Sequence, residues 1–96
     1  MKAIFISYNQ AYQAEILDIM QRSGLKGYTC WETTTGRGSF NGEPHLGDHA
    51  WPTLNSSMII FAEDSLLPEF KEKLSALDKK SEAMGLRFFS WTVDNG

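Results

Sequence analysis

The chain has 96 residues, 42% of them apolar and 12% aromatic, enough for one small packed core and too many for a disordered segment. Its net charge is −3 and its sequence pI about 5.2, which leaves no general phosphate-seeking field and argues against nucleic acid as a partner. The lone cysteine, Cys30, excludes an internal disulfide, and the longest apolar run, Met58 to Ala62, is far too short to cross a bilayer.

The opening "MKAIFISYNQ" has neither a long apolar stretch nor a small-residue cleavage site, so a protein that is not membrane-embedded and lies in the cytoplasm is expected. Residues 2–8, rich in β-branched and aromatic types and ending at Asn9, predict a strand. Residues 11–23 set Tyr12, Ile16, Ile19 and Met20 on one stripe and predict a helix that Gly24 closes. Tyr28 to Thr35 is rich in threonine and predicts a second strand. Ser56 to Ala62 is a third. Phe70, Leu74, Leu77 and Met84 then recur at helical spacing, with Pro68 in the first turn and Gly85 as the stop. Residues 86–94 predict the last strand.

The order βαββαβ, with right-handed crossovers, is that of an α+β ferredoxin-like sandwich, a four-stranded antiparallel sheet with two helices on one face. The whole chain is one domain. Its strands are apolar on both sides: Ile4 and Ile6 alternate with Ala3 and Phe5, Met58 and Ile60 with Ile59 and Phe61, Phe88 with Phe89 and Trp91. Two helices cover one face only, so a second copy of the chain is the simplest cover for the other.

A long irregular segment from Gly36 to Leu54 separates strands two and three, and it holds most of the candidate chemistry. Gly36-Arg37-Gly38 directly follows a strand; it fits an anion-binding backbone with Arg37 as donor, and equally a strand exit that needs small residues. His45 and His49 stand four apart, a metal-ligating spacing on a helix, but Pro44 and Gly47 break any helix there. Solvent-facing histidines fit as well. Trp51 either anchors the segment to the core or meets a partner. Lys71, Lys73, Lys79 and Lys80 alternate with Glu69, Glu72, Asp78 and Glu82, a solvated mixed-charge helix face. No nucleophile stands at a recognisable spacing from a base.

The phrase "GLKGYTCWETTTGRGSFNGEPH" resembles that of the PII signal-transduction proteins, in which G-x-x-G-x-T-x6-G-x-G-x3-G leads from the first helix into a loop called the T-loop. Gly24, Gly27, Thr29, Gly36, Gly38 and Gly42 match it in order. The resemblance implies a homotrimer with effector clefts between subunits. It implies effector contacts from Thr29, Gly36, Arg37, Gly38 and Arg87, and a partner-binding loop carrying Phe40, Asn41, Gly42, Glu43, His45 and Trp51. The regulated partner would be a transporter or an enzyme. The effector would be an adenine nucleotide or a divalent metal ion, the latter held by His45 and His49. Two features depart from the family. The glycine-rich "GDGKIF" type of nucleotide loop is replaced by "KKSEAMGLRFF", with Lys79, Lys80 and Arg87 as the nearby cations. No tyrosine lies between Gly36 and Asn55, so tyrosine uridylylation has no target there.

Three other functions share the topology. An RNA-recognition domain needs aromatic-basic strands, which "SSMIIFAED" is not. An amino-acid-sensing regulatory domain leaves the 36–54 segment unexplained. A small ferredoxin-like enzyme would put a histidine or carboxylate in the sheet cavity, and only Glu32 lies inside a predicted strand. A non-enzymatic regulator is therefore expected. Deleting residues 40–50 should leave a folded oligomer that no longer binds its partner; monomers on a sizing column would make the segment architectural instead.

Overall fold

The computed structural model describes residues 1–35, 54–80 and 86–94. Strands β1 (Lys2–Asn9), β2 (Tyr28–Thr34), β3 (Asn55–Ala62) and β4 (Arg87–Thr92) and helices α1 (Gln13–Arg22) and α2 (Leu67–Lys80) follow the expected order. The strands form one antiparallel-paired sheet in the order β2-β3-β1-β4. This is the ferredoxin-like sandwich, with β2 and β4 at the edges.

Boundaries differ from the sequence expectation where local polar groups intervene. The first helix is preceded by a 3-10 turn, Gln10–Tyr12, because the Asn9 side chain accepts from the Ala11 N–H at 2.9 Å and tightens the chain there. A second 3-10 turn, Asp64–Leu66, leads into α2. The expected continuation of α2 through Met84 to Gly85 lies outside the described residues.

Helix α1 ends as its sequence dictates. Gly24 takes φ +80°, the Gly24 N–H bonds to the Gln21 carbonyl at 3.2 Å and the Leu25 N–H to the Met20 carbonyl at 2.9 Å. These two bonds reverse the chain and bury Leu25 under the helix it has just left.

The core lies between the helices and one sheet face. Ile4, Ile6 and Tyr8 of β1 and Met58, Ile60 and Ala62 of β3 meet Ile16, Ile19 and Met20 of α1 and Phe70, Leu74 and Leu77 of α2. All are buried. The helical stripes and the strand alternation thus converge on a single layer.

Within that layer sits one polar cluster. The buried Tyr8 hydroxyl donates to Gln13 Oε1, Gln13 Nε2 donates to Cys30 Sγ at 3.7 Å, and Cys30 Sγ lies 3.9 Å from the Tyr8 oxygen. With the phenol proton spent on Gln13, the Cys30 thiol is the donor back to Tyr8, and the ring of three closes. It ties β1, α1 and the edge strand β2 together. Burial pushes the Tyr8 phenol above its ordinary value, and the neighbouring Cys30 adds to the rise.

Tyr8 stays neutral in the folded chain while the unfolded phenol ionises near its ordinary value of about 10. The stabilisation is complete below that value and is lost as pH rises beyond it. Tyr8→Phe is expected to cost about 1 kcal/mol near neutrality. Between about pH 9 and 11 its urea midpoint should fall less steeply than the parent's. Equal slopes would show that other groups set the alkaline limit.

Candidate functional site

The second sheet face carries what the helices leave uncovered. In register, Ala3, Phe5 and Ser7 of β1 align with Phe61, Ile59 and Ser57 of β3 and with Trp91, Phe89 and Arg87 of β4. Thr29 of β2 stands opposite Ile59 and Trp31 opposite Ser57 on the same side. Phe61 is 60% exposed, Phe89 62%, Trp31 47% and Trp91 46%. Four rings of this size leave roughly 400 Å² of aromatic surface in water. That is as much as the largest apolar patch of a typical single-chain protein. Ala3, in their midst, is wholly buried because Phe61 and Trp91 flank it.

Thr29 lines a cavity of about 260 Å³ with Gly27, Tyr28, Ile59 and Phe61. The cavity lies at the outer edge of the sheet, where β2 has no further strand beside it. Edge-strand N–H and C=O groups there remain available to a ligand. A Cβ added at Gly27 would meet nothing within 4 Å, so the space beside that backbone is open. Of these lining residues only Thr29 was expected as an effector contact. Ile59 and Phe61 were legible as outward-facing apolar residues, but not as the walls of a cavity.

Arg87 begins the opposite edge strand, β4, with its side chain exposed and its Nη1 donating to the Leu86 carbonyl at 2.7 Å. Thr29 and Arg87 therefore share a face but lie three strand spacings apart, about 14 Å across the sheet. One copy of the chain does not bring them together.

The exit of β2 is fixed by a register shift between Trp31 and Thr34. The bulge frees the Glu32 carbonyl from the ladder, and two side chains replace the lost bond: Ser56 Oγ and Gln10 Nε2 both donate to it at 2.6 Å. Thr34 Oγ1 and Ser57 Oγ pair at 3.1 Å one step further on. These bonds hold the strand just before residue 36. Glu32 itself is an exposed residue and does not line the cavity at Thr29.

Gly36, Arg37, Gly38, Phe40, Asn41, Gly42, Glu43, His45, His49 and Trp51 lie outside the described residues. Among the described residues no group of three or more histidine, cysteine or acidic side chains is arranged to hold a metal ion. Cys30 is turned to the helix layer, towards Tyr8 and Gln13. No helix among the described residues is long and apolar enough to cross a membrane.

No protein-family model matches the sequence, and no curated protein does. Solved structures do match. CPII from Thiomonas intermedia K12 bound to ADP and bicarbonate superposes with a TM-score of 0.75 at 22% identity, covering 94% of this chain and 82% of that one. The same protein bound to ADP, AMP and bicarbonate gives 0.74 at 18% identity, over 96% and 86%. A PII-like signalling protein from Thermus thermophilus gives 0.66 at 17%, over 94% and 83%. Identities this low speak for architecture alone, and the architecture is unambiguous: the chain has the PII-like fold.

Proposed function

We propose that this chain is a non-catalytic PII-like regulator working as a ring of three copies. The bare sheet faces pack together at its centre, and an adenine nucleotide binds between neighbouring copies. The bound state is passed to a partner protein, a transporter or an enzyme, through segment 36–54.

The observation that carries this reading is the separation of Thr29 and Arg87 on opposite edges of one face. In the proposed ring the β2 edge of one copy would stand beside the β4 edge of the next, which would bring the two halves of a cleft together. Thr29, the open backbone at Gly27 and the Phe61 ring would take the flat, polar-rimmed base, and Arg87 of the neighbouring copy the phosphates. The aromatic face supports the same assembly. Covering roughly 400 Å² per copy is worth about 10 kcal/mol, comparable to the freedom lost on association. The ligand class is supported by the CPII structures, which hold ADP, AMP and bicarbonate.

Two experiments test the reading. Phe89→Asp changes a side chain that is 62% exposed in the single chain, so the fold should survive while a charge lands in the proposed interface. The expected product is a folded monomer; an unchanged mass would move the interface to another face. Trp91→Asp should behave alike. In a thermal-shift series with ATP, ADP, AMP and bicarbonate, singly and paired, a ligand at about one hundred times its dissociation constant adds about 2.7 kcal/mol. In a chain of this size that is a shift of several degrees. Thr29→Ala should reduce the nucleotide shift and leave the mass unchanged. No shift with any adenine nucleotide would reject the effector class.

A further inference from the structure

The helix layer carries a groove on the side of the sheet away from the aromatic face, so it stays open whether or not the copies assemble. It lies between α1 and α2 and has a volume of about 640 Å³. Ile19 and Leu77, only 5% and 7% exposed, close its floor. Ala14 and Ala76 line it with side chains too short to bridge the gap.

The two walls differ in charge. Glu15, Asp18 and Arg22 line the α1 side, for a net charge of −1, and Lys73 and Lys80 the α2 side, for +2. Asp18 pairs with Arg22 at 3.0 Å and Lys73 with Glu69 at 3.0 Å, each within its own helix. None of the ion pairs among the described residues crosses the groove. Exposed pairs of this i,i+4 kind are weak, so they do not prevent the walls from re-partnering with an incoming group.

We propose that this groove docks one amphipathic helix of a partner protein. Its apolar stripe would rest on Ala14 and Ala76, with basic residues on the flank that meets α1 and acidic residues on the flank that meets α2. Small residues at the contact let a third helix approach to the usual distance of about 8–10 Å between axes. The stretch from Ala14 to Arg22 is about 12 Å long at about 1.5 Å per residue, so the contact spans two to three helical turns. That size fits a weak, reversible interaction. Walls of opposite sign do not suit an anionic lipid surface or nucleic acid, each of which needs one continuous basic face.

The test uses the full chain and three synthetic helical peptides with the same alanine-leucine stripe. One has lysines on one flank and glutamates on the other, one has lysines on both, and one has glutamates on both. Fluorescence anisotropy is expected to give the mixed peptide about a tenfold advantage over either single-sign peptide at low salt, shrinking at high salt. Lys80→Glu makes the groove prefer the lysine-flanked peptide, and Glu15→Lys makes it prefer the glutamate-flanked one. Both residues are exposed, so neither change threatens the fold. Ala76→Trp should abolish all three. Equal binding of the peptides, preferences that ignore the reversals, or no binding at all would overturn the proposal.

Discussion

The constraint on which the structure depends is that two helices can cover only one side of a sheet whose strands are apolar on both. Ile4, Ile6, Met58 and Ile60 spend their burial on α1 and α2, and Phe61, Phe89, Trp31 and Trp91 are left facing water. In an antiparallel sheet the free face is ordinarily polar. Here, apart from Thr29, the polar residues named on that face are grouped: Ser7, Ser57, Thr34 and Arg87 sit at one end, near the exit of β2. The face is thus divided into an aromatic field and a polar margin. An aromatic field of this kind is unfavourable for a lone chain and useful for an assembling one.

The same division locates the candidate site. Cavity-lining residues gather where β2 begins, and the bulge lies where β2 ends, so one edge strand carries both the hollow and the bulge. The bulge costs ladder bonds, and Ser56, Gln10, Thr34 and Ser57 restore polar partners with side chains. Ser56 and Ser57, inside strand β3, thereby have polar partners on β2. The Tyr8–Gln13–Cys30 ring steadies the same edge strand from the helix side. Strand β2 would otherwise be held by β3 alone, and its side chains are mostly exposed.

Much of this was legible in the sequence because it depends on periodicity. Alternation along β1 and β3 announced two apolar faces, the α1 stripe announced the layer it packs on, and Gly24 announced the end of that helix. The resemblance to PII proteins in the span from Gly24 to Gly42 agrees with the fold. What stayed hidden depends on register. Nothing local says that Ile59 stands beside Thr29, or that Trp31 and Thr34 are separated by a bulge; those follow from how β2 slides along β3. The separation of Thr29 from Arg87 is likewise a matter of strand order, which a linear reading of βαββαβ leaves implicit.

Strand order also limits what a single copy of this chain can do. A half-site with Thr29, an open backbone and one aromatic ring would offer a base a place to rest, while Arg87, the cation proposed for the phosphates, stands three strands away. If the cation comes from a neighbour, binding and assembly share one free energy: the ligand strengthens the contact it bridges, and the contact raises the affinity for the ligand by the same factor. The strand that lines this hollow, β2, is also the one that ends in the bulge between Trp31 and Thr34. In the proposed ring, the strand that would meet the neighbouring copy is therefore also the one that the bulge bonds of Gln10 and Ser56 fix in place.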